Sequence, residues 1–279
     1  MSFRPASTVV LIHGLWVTAR SWEDFRLPFE AAGYEVHVPT WPLLDGGTAA
    51  ELRDAPPPGL GRLTLREIVD HFETYIRGLP EPPLLVGHSF GGLFVQHLLD
   101  RGVGVAGAAL NPAPIGGVIP GPVSLTGALP AIARWNGWNR TYSLTPERFA
   151  RRYANRAPPS QQTAAYERYV IPTSGRVLHQ AALWLGTSVS PRRRRQPLLI
   201  TGSDADRLIT PYVSRAAYRL QRSSTARTDY LGFEGRSHFL CNEPGWEEVA
   251  GAVIGWASQL EGGLAARLGP SSARSETKV

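Results

Sequence analysis

Residues 87–91, Gly-His-Ser-Phe-Gly, set a serine between glycines where an apolar run meets an amphipathic stretch, and no other feature restricts the chain as much. The run before it, Pro83 to Gly87, is short, continuous and apolar, as a strand buried on both faces must be. The stretch after it, Phe90 to Asp100, carries apolar residues at helical spacing. A strand that turns directly into a helix leaves no room for side chains where the two crowd together. Gly87, Gly91 and Gly92 therefore read as steric requirements, and Ser89 as the residue the turn displays.

The same alternation recurs along the chain. Apolar runs at Thr8 to His13, Tyr34 to Val38, Val103 to Leu110, Pro197 to Thr201 and Arg227 to Leu231 predict further strands. Between them lie predicted helices: one carrying Trp22, Phe25 and Phe29 and closed by Gly33, one from Thr64 to Gly78 opened by a Thr64/Glu67 capping box, one from Pro211 to Gln221 and one from Trp246 to Gln259. Strands alternating with helices imply an α/β fold, a mostly parallel sheet with helices on both faces. From Asn111 to Pro191 the alternation stops, and Pro, Gly, Trp135 and Trp138 intervene with helix-like patches at Pro146 to Tyr153 and Ala164 to Tyr169. The expected organisation is a core of residues 1–115 and 191–262, an insertion at 116–190, and a flexible tail at 263–279.

Composition narrows the class. With 43% hydrophobic and 19% charged residues in 279, the chain can bury one large core, and no compositional shift marks a second domain. A net charge of +6 raises nucleic acid as a partner, but the positive residues are scattered arginines, with Lys278 the lone lysine. Their one dense run, Arg192 to Arg195 between Pro191 and Pro197, reads as a solvated loop, so no nucleic-acid partner is expected. One cysteine, Cys241, permits no intrachain disulfide. The polar first residues and the short apolar run behind them do not make a signal peptide, so a cytoplasmic protein without a membrane partner is expected. Residues 102–107 fit the dinucleotide pattern G-x-G-x-x-G, but they follow a helix and lead into a strand, the reverse of what that pattern requires. No Cys or His cluster has zinc spacing, and neither cofactor nor metal is expected.

In its strand-to-helix setting, residues 87–91 match the nucleophile elbow G-x-S-x-G. A serine hydroxyl is a poor nucleophile at neutral pH and needs a base, which in turn needs an orienting carboxylate. Of seven histidines, His13 and His88 belong to the turns and His37, His71, His97 and His179 suit packing or surface roles; His238, in a loop between the last predicted strand and helix, is the candidate base. Two aspartates, Asp204 and Asp206, follow the strand ending at Thr201, and His13-Gly14-Leu15-Trp16 ends the first strand.

With these segments in this order, residues 8 to 260 resemble the α/β-hydrolase superfamily, in particular its compact esterase-like members. The chain starts at what would be that family's third strand, so the resemblance implies a trimmed sheet. It also implies a catalytic triad of Ser89, Asp206 and His238. Asp206 is favoured because the stretch to Pro211 is similar to the family's acid turn; the spacing departs by one residue, so Asp204 stays open. Some members place the acid one strand earlier, where this chain has the neutral Asn111. The backbone N–H groups of Leu15 and Phe90 become the expected oxyanion hole, and the insertion a helical cap over the site. Trp16, Trp135, Trp138, Trp184 and Phe239 become candidate pocket walls. The implied activity is hydrolysis of a small-molecule carboxylic ester or lactone. Acyl transfer, hydroxynitrile-lyase-like cleavage or ligand binding without turnover are the alternatives on the same residues.

Overall fold

The computed structural model describes residues 6–119 and 133–268, with side chains as far as residue 260. In chain order the elements are β1 (Thr8–Ile12), α1 (Leu27–Ala31), β2 (Glu35–His37), α2 (Ala49–Asp54), α3 (Leu65–Arg77), β3 (Leu84–His88), α4 (Phe90–Asp100) and β4 (Ala106–Leu110). The insertion supplies β5 (Thr141–Tyr142), α5 (Pro159–Tyr169), β6 (Thr173–Ser174) and α6 (Gly175–Ala182). The chain then returns to the core with β7 (Leu198–Ser203), α7 (Pro211–Gln221), β8 (Thr228–Phe233) and α8 (Trp246–Leu268).

Six strands form one parallel sheet in the order β2-β1-β3-β4-β7-β8. The continuous apolar runs are the four inner strands, buried along their whole length, while the more polar β2 and β8 are the half-exposed edges. Alternate residues of each strand feed opposite faces. Val10, Ile12, Leu85 and Ile200 pack with the α3, α4 and α7 side chains, and Val9, Leu11, Val86 and Leu199 with Phe29 of α1 and Val253 and Trp256 of α8. The chain runs outward from β1 to β2 and then returns to the other side of β1 as β3. That reversal opens a crevice at the carboxyl ends of β1 and β3, the place where such sheets bind ligands.

Several expectations need correction. The helix predicted around Trp22, Phe25 and Phe29 is two pieces, a 3₁₀ turn at Ala19–Trp22 and the five-residue α1. Pro28 has no N–H to continue a helix begun upstream but suits a first turn, so the helix restarts there, and the three rings still pack in series, tilted, with centroids 5.2 and 5.8 Å apart. The arginine run is not uniformly solvated. Arg192, Arg193 and Arg195 are exposed, but Arg194 is buried and donates to Gln221 Oε1 and carbonyl oxygen, the Arg227 and Gln196 carbonyls and Thr228 Oγ1. Burial lowers its pKa to about 10, which still leaves it charged at neutral pH. The last helix runs past Gln259 to Leu268, into the expected tail, and residues 269–279 lie outside the described residues.

The insertion touches loops at the carboxyl ends of the strands. Val17 and Val170 form an isolated bridge, Arg53 donates to the Tyr166 and Val170 carbonyls, Asn155 to the Ala205 carbonyl, Arg156 to that of Gly235 and Gln161 to that of Asn242. Among the described residues no helix is long and apolar enough to cross a membrane, and no group of His, Cys, Asp and Glu could hold a metal ion.

Candidate active site

Ser89 sits between β3 and α4 with φ 56° and ψ −119°, a backbone conformation that L-residues rarely adopt. The glycines around it explain how the turn closes. A Cβ on Gly87 would lie 2.2 Å from the Gly91 carbonyl oxygen, and one on Gly91 would lie 1.9 Å from that of Ile12. Hydrogen bonds from Ser89 N–H to the Leu110 carbonyl and from Ala113 N–H to the Ser89 carbonyl, both 2.9 Å, tie the turn to the end of β4 and the segment after it. Gly14, just past β1, comes so close that a Cβ there would stand 2.9 Å from Ser89 Cβ and 3.3 Å from Phe90 N. The loop carrying the buried Leu15 is thereby pressed against the start of α4, whose N-terminal N–H groups form the positive end of the helix.

His238 and Asp206 are both buried, and His238 Nδ1 lies 2.7 Å from Asp206 Oδ2. Asp206, after β7, also accepts from Leu208 and Ile209 N–H at Oδ1 and from Asn111 Nδ2 at Oδ2, each at 2.8 Å. Asp204 points elsewhere: it is exposed and accepts from Gly235 N–H at 2.6 Å, bracing the turn before the His238 loop. The loop itself is pinned by the buried Glu243, which accepts from Ser237 N–H at 2.8 Å and from the Ser237 hydroxyl.

The His238 ring packs against that of His88, the residue before Ser89, with centroids 4.6 Å apart. Burial, helped by the neighbouring His238, pushes the His88 pKa well below the usual histidine range, so His88 brings no charge to the site at neutral pH. Burial likewise lowers His13, which lines the crevice, to about 4. Tyr153 stands perpendicular to His238 at 4.8 Å and stacks on Phe149 at 5.2 Å; Phe149 in turn meets Phe239 at 5.7 Å. Phe149 and Tyr153 begin and end a π-helical turn of the insertion, a rare geometry often found at functional sites.

The structure thus brings Ser89, Asp206, His238, Leu15, Phe90 and Phe239 to the same carboxyl end of the sheet. Trp16, with φ 65°, lines a crevice with His13, Gly14, Trp41 and Ile171. The other three tryptophans face solvent: Trp135 is 85% exposed, Trp138 and Trp184 are each 42% exposed, and Trp138 packs on Trp135 and His179. The insertion's rings against His238 and Phe239 are Tyr153 and Phe149, which ring size alone did not single out. Their four-residue spacing inside a predicted helical patch was the available signal. Asn111 carries no such signal, since a neutral amide at that position differs from a carboxylate only through the partners the fold gives it.

A model of the alpha/beta hydrolase family matches residues 9–252. Among solved structures, a monoacylglycerol lipase of Paleococcus ferrophilus is similar with TM-score 0.67 at 22% identity, covering 93% of this chain and 98% of its own. A methylesterase from Arabidopsis is similar with TM-score 0.66 at 14% identity, covering 90% and 99%. Tomato methylketone synthase I, in complex with 2-tridecanone, is similar with TM-score 0.64 at 15% identity, covering 92% and 100%. At these identities the likeness is one of fold. No curated protein sequence matches the chain.

Proposed function

Since the chain belongs to the alpha/beta hydrolase family, we propose that it is a serine hydrolase that cleaves a carboxylic ester through an acyl-enzyme on Ser89. The observation that carries this reading is the buried His238–Asp206 pair, 2.7 Å apart, beside a serine held at φ 56°.

Ser89 Oγ attacks the carbonyl carbon and His238 takes its proton. Asp206, fixed by its other three donors, accepts from Nδ1, which leaves Nε2 as the basic nitrogen and stabilises the imidazolium when it forms. The negative charge that builds on the carbonyl oxygen is met by the Leu15 and Phe90 N–H groups. The imidazolium then protonates the departing alkoxide, and a water activated by the same nitrogen releases the acid. The insertion acts as a cap, with Tyr153 against the imidazole and Phe149 stacked on Tyr153. A lactone is opened by the same steps, its alkoxide remaining tethered. Two of the similar structures are of proteins named as a lipase and a methylesterase, which favours esters over the other chemistries this fold hosts.

Hydrolysis of p-nitrophenyl esters of increasing acyl length, with wild type and Ser89→Ala in parallel, tests the reading. Turnover by wild type should fall at least 1,000-fold in the variant, on the order seen when a triad serine is removed. Equal turnover by both, or a wild-type Ser89 inert to a fluorophosphonate probe, would defeat it.

A further inference from the structure

Asn111 follows β4 in left-handed backbone, φ 41°, a conformation that asparagine tolerates better than most residues, and it is fully buried. Its side chain belongs to a closed set of hydrogen bonds. Its own N–H donates to Thr201 Oγ1 at 3.1 Å, which leaves the Thr201 proton to return to Asn111 Oδ1 at 3.2 Å. Ser203 Oγ donates to the same Oδ1 at 3.2 Å. With the amide oxygen occupied by two hydroxyls of β7, the amide nitrogen has one direction left, toward Asp206 Oδ2 at 2.8 Å. That oxygen is the one that receives His238 Nδ1.

We infer that Asn111 is a positioning residue for the triad: anchored on Thr201 and Ser203, it fixes Asp206 Oδ2 and so aims His238, although it touches no reacting atom. The inference rests on the reading of Asp206 as the carboxylate that serves His238. Leu208 and Ile209 hold only Oδ1. Without Asn111 the carboxylate would be free to turn about that end, and its bond to the imidazole would vary in length and angle.

The test substitution is Asn111→Asp, which keeps the shape, tolerates the same φ and still accepts from Thr201 and Ser203. It replaces a donor with a second carboxylate. The titratable groups around the pair are His238 from the loop after β8, which bonds Asp206, His88 from the end of β3, which packs on His238, Tyr153 from the insertion, and Cys241 near Tyr153. Burial keeps His88 neutral and raises both Tyr153 and Cys241, so none of these three adds charge between pH 5 and about 8. Near pH 8 the variant's kcat should be about 10- to 100-fold below wild type with KM within about twofold. The deficit should narrow as pH falls toward about 5, because the two carboxylates then share a proton and a donor to Asp206 returns. Wild type is measured alongside the variant at each pH.

An arm independent of substrate is the downfield proton resonance of His238 Nδ1–H, which should move in Asn111→Asp and move less in Ser203→Ala, where one anchor is lost and the Asn111 backbone is untouched. An unshifted resonance in both variants overturns the inference, as does a pH-independent kcat ratio near one or a loss confined to KM. If Ser89→Ala retains full turnover while the resonance still moves, the hydrolase reading fails and the positioning of His238 stands.

Discussion

The strand ends and the insertion meet over one imidazole, and they hold it by different means. From the sheet, His238 is bonded to a carboxylate whose oxygens together take four donors, so its position is set by directional contacts of 2.7–2.8 Å. From the insertion, the same ring meets Tyr153 edge-on, a contact of shape, with Phe149 stacked behind it. The insertion holds to the core through main-chain bonds such as Ile171 N–H to the Trp16 carbonyl, side-chain bonds to carbonyls and the Arg53–Glu167 ion pair. Hydrogen bonds fix an atom, whereas ring contacts fix a surface. On the proposed reading, the core would align the chemistry and the insertion would govern what reaches it.

The substitution that breaks this comparison hardest is Asp206→Asn. Leu208 and Ile209 N–H would take the amide oxygen at the Oδ1 position, which turns the amide –NH2 toward His238 Nδ1 and forces the wrong tautomer. Activity should fall by about 10⁴-fold. Asp204→Asn, measured beside it, should stay within a fewfold of wild type; a larger loss from Asp204 would reverse the assignment.

Arg194→Ala separates stability from alignment. It strips donors from the Gln221, Arg227 and Thr228 oxygens under the far end of the sheet and should lower unfolding free energy in urea by about 3 kcal/mol, with kcat unchanged. Acid acts on the same footing. His13 and His97 are held near pKa 4 by burial, below the ordinary 6.5, so between those values the unfolded chain binds more protons than the folded one. Stability should be intact above about pH 6.5 and decline as pH falls toward 4, and urea titrations across that window should show the slope. A flat profile would mean that water reaches these rings.

The smallest effects sharpen the insertion's half. Tyr153→Ala should lower kcat/KM about tenfold and change the acyl-length preference, a loss of the size expected for an aromatic contact. Trp135→Ala, on a ring that is 85% exposed, should change neither by more than about twofold. Equal effects from the two would erase the distinction between lining and surface aromatics.

Legibility followed the kind of force involved. The inner strands could be read because complete burial demands unbroken apolar runs, and the Ser89 turn because crowding demands glycine. The break before Pro28 competes with the Trp22, Phe25, Phe29 spacing, which survives as tilted ring contacts without a continuous helix. Arg194 and Asn111 were opaque because their partners lie far along the chain, Gln221 for one and Asp206 for the other, and no local pattern announces such a bond. Among the aromatics, size pointed to tryptophan, while the insertion's fold turned Tyr153 inward.

The backbone at Ser89 also bears on heat tolerance. At φ 56°, glycine would occupy that turn without the steric cost that a serine Cβ incurs, of order 1–3 kcal/mol. Under selection for thermal endurance alone, residue 89 would drift toward glycine and the molecule would gain. If Ser89 is the nucleophile proposed above, the hardiest form and the reactive form are different sequences, separated by one hydroxymethyl group, and programmes that raise melting temperature should hold that position fixed.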